Sequence, residues 1–295
     1  MFHKQQNMFL YHLITVSLSG GLVKVILSLE ETWMLELDEK QYGICRAFGA
    51  LGLTITSIIT GFVVKKYSYF ALFIIFVCSS IFLCINMFFV SDVKKHNDKT
   101  IDLQSLKKLI TNHKYIILVM IYLLVFMIGT TDQYIVIEKM QDLNSGTTLI
   151  GAKWALQSFM EIPLFLFATK ILKKWKPFSL LVFGIIMYGI KFVCYALAFH
   201  PWLIILTTLL QIVTLPIIML TSKVLISDIT PKELSSSAQM FAMAVFIGLS
   251  GLLTPIITSY LSNQFGYNLT LWVTAIFSIA PFLLSLYYKK IKDLS

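Results

Sequence analysis

Charge is scarce in this chain. Only 13% of its 295 residues are Asp, Glu, Lys or Arg, where a soluble domain carries about 25%. Arginine is scarcer still, with Arg46 alone among 24 basic residues. That lysine excess points to an AT-rich bacterial genome. Acidic residues number 15, leaving a net charge of +9. The excess is not spread over a surface, as nucleic-acid binding would require. It sits in short segments between apolar runs, so no nucleic-acid partner is expected. Cys45, Cys78, Cys84 and Cys194 form no CxxC pair and mostly lie in apolar segments. They read as small buried apolar residues rather than metal ligands or disulfide partners. The histidines (His3, His12, His96, His113, His200) show no metal spacing, and no glycine-rich phosphate loop is present. Ser235, Ser236 and Ser237 have no neighbouring His and Asp. An enzyme, a metal site or an organic cofactor is therefore not expected. The first apolar run carries no cleavage-type site for a signal peptide.

What the chain has in quantity is apolar length: 57% of it is hydrophobic. About 20 apolar residues at 1.5 Å per residue cover a roughly 30 Å hydrocarbon core. Nine runs meet that length, near 9–28, 47–64, 70–90, 115–137, 148–170, 178–199, 201–222, 238–261 and 270–288. The first is weakened by Gly20, Gly21 and Lys24. The fold class expected is all-α, a polytopic membrane protein of about nine helices embedded in a lipid bilayer.

Lysines then orient the spans, because cytoplasmic loops retain positive charge. The loop 91–114 carries six lysines and is placed inside. The segments 170–177 and 227–237 and the tail with Lys289, Lys290 and Lys292 are also inside. The loops 138–147, 199–202 and 262–268 hold one lysine between them and are outside. Counting back from residue 91 puts the N-terminus outside, in a multi-pass cell-membrane protein whose C-terminus is cytoplasmic.

Three regions follow: a partial bundle of three spans over 1–90, a cytoplasmic linker over 91–114, and a six-helix bundle with a basic tail over 115–295. Leu103, Leu106 and Leu109 fit either a short amphipathic surface helix or a solvated linker. Gly49 with Gly52, and Gly248 with Gly251, would allow close helix approach. Pro163, Pro216, Pro255 and Pro281 lie inside spans, where neighbouring helices or water must satisfy the freed carbonyls.

Ionisable groups inside spans are the sharpest signal. Glu161 lies about 12 residues, or roughly 18 Å, from the cytoplasmic end of its span. Lys191 lies at matching depth on the next, antiparallel span. A lone charge at mid-membrane costs about 2.5–3.5 kcal/mol, which pairing would offset. The pair is then either a proton-coupling site or an ion pair fixing helix register. Gln157 shares the helix face of Glu161, and Gln211 lies near mid-depth. Their amides would bind hydroxyls of a solute or join helices. Asp132, near the outer end of its span, is expected within reach of water. Arg46, at the inner start of the second span, would hold a hydroxylated or anionic ligand, cap carbonyls, or pair with Glu30 or Glu31. Trp154 would stack on a ligand ring or belong to the interfacial belt.

The stretch "YGICRAFGALGLTITSIITGF" resembles the fifth helix of lactose-permease-like members of the major facilitator superfamily. "QSFMEIPLFLF", "KILKKWKPF" and "FGYNLTLW" resemble the eighth to twelfth helices of the oligosaccharide and nucleoside proton symporters. That resemblance implies a partial major facilitator fold, lacking the first three of twelve helices, and a secondary transporter moving a small hydroxylated solute with protons. It implies that Arg46 holds the solute, with Glu30 or Glu31 as its carboxylate partner. It places Asp132 on a charged position of the seventh helix and Lys191 on a ninth-helix basic position in the proton path. Gln211 and Thr214 depart from the histidine and glutamate of lactose permease, and Thr208 and Gly248 or Leu249 replace its lysines. Glu161 with Lys191 would then carry the coupling. A chain so shortened would be a non-transporting remnant or accessory subunit, or a partner chain would supply the missing helices.

Overall fold

The computed structural model describes residues 42–89, 111–231 and 234–293, together with Leu109 and scattered helical positions between Tyr11 and Met34. All its regular structure is helical. Among the described residues six stretches are long and apolar enough to cross a membrane, or seven with one bent pair. The span expected over 9–28 is described only at scattered helical positions, and the linker expected over 91–114 only at Leu109 and from residue 111 onward. Leu109 is buried in the main core.

Helix α1 (Tyr42–Tyr67) ends in Lys65 and Lys66, cations that suit the negative end of a helix dipole. Ser68, at φ 80°, turns the chain into α2 (Tyr69–Met87). Helix α3 (His113–Asp142) begins at Asn112, whose side chain accepts from the Lys114 and Tyr115 amides, satisfying two otherwise orphaned donors. It is the axis of the core: Leu118, Ile121, Tyr122, Val125 and Ile128 are fully or almost fully buried. Lys139 was expected in an outer loop. It lies instead in the last turn of α3, buried, and donates to the carbonyls of Tyr195 and Ala196 at 2.6 and 3.1 Å.

Helix α4 (Thr147–Leu166) bends by 59° into α5 (Ala168–Lys174). Phe167, at φ −99° and ψ 10°, leaves the helical basin there. Helix α6 (Pro177–Leu197) and α7 (Pro201–Thr207) both start on proline, whose missing N–H is not needed at that position. The stretch Pro201–Ile229 is long enough to span but is not one helix. After α7 it tightens to a 3-10 turn (Thr208–Val213), breaks at Thr214, and resumes as α8 (Leu215–Ile229). Pro216 cannot donate to the preceding turn, so the helix unwinds before it. Irregular backbone at that depth is tolerated only when enclosed by protein or lining a cavity, and Thr208, Gln211 and Thr214 are all buried.

The stretch Ser237–Ile291 runs 55 residues, about 80 Å at helical rise, far too long for one crossing. It covers the two spans expected at 238–261 and 270–288. Helix α9 (Ser235–Met243) leads through a π-type turn (Ala244–Leu249) into α10 (Ser250–Phe277), followed by α11 (Ile279–Asp293). Gly266, at φ 80°, breaks α10 where the outer loop was expected, a backbone state costly for any residue with a Cβ.

Helix α1 packs along α4. A Cβ on Gly151 would sit 2.8 Å from the Ser57 carbonyl oxygen, and one on Gly43 2.5 Å from that of Phe165. Thr147 donates to the Gly61 carbonyl across the same seam. The close-approach glycines of this seam are thus Gly43, Gly61 and Gly151. Gly49, Gly52 and Gly248 face open space. The cysteines differ from expectation in burial: Cys45, Cys78 and Cys84 are exposed, and Cys194 is half-buried. Small thiols at these positions fill no core gap.

Candidate functional site

Four elements meet around one carboxylate. Asp132 on α3 is 2% exposed, not reached by water as its place in the sequence implied. Helix α3 continues nearly three turns beyond it, to Asp142, and α4 and α6 cover it. Lys153 on α4 donates to Asp132 Oδ1 at 2.8 Å, and Lys191 on α6 donates to Oδ2 at 2.6 Å. Both lysines are 0% exposed. An isolated ammonium so placed would be strongly unfavourable, and pairing together with further hydrogen bonds is what makes it tolerable.

Those further bonds are present. Lys153 also donates to Gln157 Oε1 at 2.6 Å, and its ammonium lies 4.1 Å from the centre of the Trp154 ring, a cation–π distance. Lys191 donates to Gln211 Oε1 at 2.6 Å and has the Tyr195 ring at 5.3 Å and the Tyr188 ring at 5.9 Å. Gln211 uses its other end as well: Nε2 donates to Glu161 Oε1 at 2.8 Å. Thr214 donates to Gln211. Thr208, hydrogen-bonded with Tyr195, closes the side next to α6.

The local sequence explains the arrangement. Lys153, Gln157 and Glu161 stand four residues apart along α4 and so share one face. Gln211 reaches two partners because the 3-10 turn lifts it out of a regular helix.

The structure brings together Asp132, Gln157, Glu161, Lys191 and Gln211 from the expected set, and changes their pairing. Lys191 binds Asp132, not Glu161. Matching depth along two helices does not fix rotation about them, and α6 turns Lys191 towards α3. Glu161, half-buried, joins through the Gln211 amide. Trp154 faces its neighbour Lys153. Arg46 on α1 donates to the Met219 sulfur at 3.2 Å and lies 5.6 Å from the Phe165 ring centre. Its charge also acts on Glu161. Glu30 is exposed, and Glu31 lies outside the described residues.

Lys153 was missed. Its signal was present in "GAKWALQSFME", where it begins the four-residue repeat ending at Glu161. Six residues into the span it resembles a lysine reaching back to the interface. Among the described residues no group of histidines, cysteines or carboxylates is placed to hold a metal. What the site offers is a continuous set of hydrogen bonds from Lys153 to Glu161, able to hold charge and to bind polar groups away from water.

Residues 2–287 match the MFS_1 like family. The chain belongs to that family. It is a multi-pass membrane protein of the major facilitator type. The chain is similar to two proteins of Xenopus laevis, major facilitator superfamily domain-containing protein 6-like protein B and protein A. They are 25% and 24% identical to it over 177 residues, covering 56% of this chain. The matched part is 28% and 29% of their lengths, so the chain spans less than a third of the relatives it matches.

Proposed function

We propose that the protein is a proton-coupled secondary transporter of a small hydroxylated solute, a sugar, oligosaccharide or nucleoside, working by alternating access in a cell membrane. The observation that carries this reading is the buried chain Lys153–Asp132–Lys191–Gln211–Glu161, built from α3, α4, α6 and an unwound turn. Intramembrane ionisable groups are retained for function more often than for packing. Broken helices at mid-membrane are where transporters of this general kind place their sites. Glu161 is the proton carrier in this reading, because it is the carboxylate that no lysine holds directly. Asp132 and Lys191 form the fixed charge pair beside it. Gln157, Gln211 and Trp154 face the solute, with Arg46 approaching from α1. The resemblance to the oligosaccharide and nucleoside proton symporters supports the solute class.

The test is uptake into proteoliposomes under an acid-outside gradient, with labelled sugars and nucleosides as probes. Accumulation abolished by a protonophore is the expected result. Uptake indifferent to the gradient would count against coupling, and none at all against transport.

A second reading, a shortened or accessory membrane subunit, draws on α2, none of whose residues is buried. That face would then be covered by helices of a partner chain. Co-purification of a fixed-stoichiometry partner, with no uptake by the chain alone, is what this reading expects.

A further inference from the structure

Three tyrosines from three helices line up along α8. Thr214, at the break before α8, and Thr221 and Asp228 within it are spaced seven residues apart. That spacing keeps them near one face, in steps of about 10 Å. Each stands beside a tyrosine: Tyr188 of α6 beside Thr214, Tyr122 of α3 beside Thr221, and Tyr288 of α11 within reach of the Asp228 charge. One end of this column joins the buried cluster. Thr214 donates to Gln211 Oε1 at 3.3 Å, and Tyr188 feels the charges of Asp132 and Glu161. A Cβ on Gly129 would meet the Tyr188 hydroxyl at 3.0 Å, which sets that hydroxyl against α3 seven residues along from Tyr122. The other end is open. Asp228 and Tyr288 line a pocket of about 560 Å³, and Asp228 is exposed. Lysine placement assigns this end of the bundle to the cytoplasm.

The Tyr122 and Tyr288 side chains are fully buried, and neither hydroxyl has a hydrogen-bond partner among the described residues. A buried phenol is costly to leave unmet, and bound water is what commonly meets such a group. Tyr115, seven residues before Tyr122 on α3, differs: its hydroxyl donates to the Ala238 carbonyl at 2.7 Å. Resting on the proton-coupling reading above, we propose that this column of hydroxyls holds water and is the route by which the Glu161 proton reaches the cytoplasm. The proton leaves the Glu161 carboxyl, which becomes a carboxylate. It passes by way of Tyr188 and Thr214, then Thr221 and Tyr122, then Tyr288, and is released to bulk water at Asp228. Direct transfer needs hydrogen-bond reach, so water carries the proton across each step between hydroxyls.

Two measurements on the full chain in proteoliposomes test this, the first without any solute. Millisecond hydroxyl-radical labelling read by mass spectrometry oxidises a buried tyrosine where water adjoins it. Tyr122 and Tyr288 are expected to be labelled and Tyr115 protected. Labelling of Tyr288 without Tyr122 would close the column above the pocket and overturn the inference. The second measurement compares wild type with Tyr122→Phe, which removes a hydroxyl with no protein partner and keeps the ring. With labelled D-glucose and uridine as probes, proton-driven uptake is expected to slow by about tenfold, the effect of one lost hydrogen bond on a barrier. Exchange of the same probe with no proton gradient is expected to be unchanged. Proton-driven uptake at the wild-type rate overturns the route and leaves the transport reading standing. Uptake and exchange lost in equal measure overturn it in favour of a structural role for Tyr122. No flux of either probe by wild type, with Tyr122 labelled, counts against the transport reading and removes the route with it, leaving a wet column alone.

Discussion

Lys191 Nζ stands 2.6 Å from Asp132 Oδ2 and meets Glu161 only through the side chain of Gln211. This separates the two carboxylates by role. Asp132 is locked between two ammonium groups, whereas Glu161 has the Gln211 amide as its hydrogen-bond partner and a partly exposed position from which a proton can come and go.

Removing Asp132 leaves two buried ammonium groups side by side. Asp132→Asn is expected to destabilise the protein by about 3–5 kcal/mol, the usual loss when one member of a buried pair is deleted. Thermal unfolding of the detergent-purified protein checks this.

Removing one lysine is expected to be milder. Lys153→Met leaves Asp132 paired with Lys191, a neutral pair, and frees mainly the Gln157 carbonyl, a loss of about 1–3 kcal/mol. The double variant Asp132→Asn with Lys191→Gln should lose less than the two single changes summed, because contacting residues couple by about 0.5–3 kcal/mol. Strict additivity in a double-mutant cycle would contradict the shared-carboxylate geometry.

These pairings were only partly legible in the sequence. The membrane spans were, since twenty apolar residues suffice to span a bilayer and little else produces such runs. The break before Pro216 and the outer turn at Gly266 were marked by the residues themselves. The partner of Lys191 was not, because counting residues from a helix end gives depth but not azimuth. Glu161 and Lys191 lie at similar depth, yet rotation of α6 gives Lys191 to α3. Lys153 was hidden for the opposite reason: near a span end, a lysine reads as an interfacial one. Only packing against α3 shows that it points inward.

The seam between α1 and α4 depends on missing side chains. Gly151→Val is expected to force the two helices apart and to lose about 1–3 kcal/mol from overpacking, because even a Cβ would meet the Ser57 carbonyl at 2.8 Å. Gly49→Ala, on the open face of α1, should change the unfolding midpoint little. Equal effects of the two would contradict the packing.

At Gly266 the backbone itself sets the requirement. Gly266→Ala puts a Cβ at φ 80° and is expected to cost about 1–2 kcal/mol, although space around it is open. Gly266→Asn should lose less, since asparagine tolerates that region better, and comparing the two unfolding midpoints separates strain from packing.

Cutting the link at Gln211 should separate folding from coupling. Gln211→Ala removes the acceptor of Lys191 and the donor to Glu161 together. Stability should fall by about 1–3 kcal/mol, while proton-driven uptake falls far more than exchange of solute across the membrane. Uptake and exchange lost in equal measure would place Gln211 in solute binding alone.

The most direct measurement is solute-evoked proton entry into proteoliposomes that hold a pH-sensitive dye, compared between wild type and Glu161→Gln. With solute exchange preserved in the variant, the account predicts proton entry in wild type and none in Glu161→Gln. Proton entry of the same size in both would contradict it.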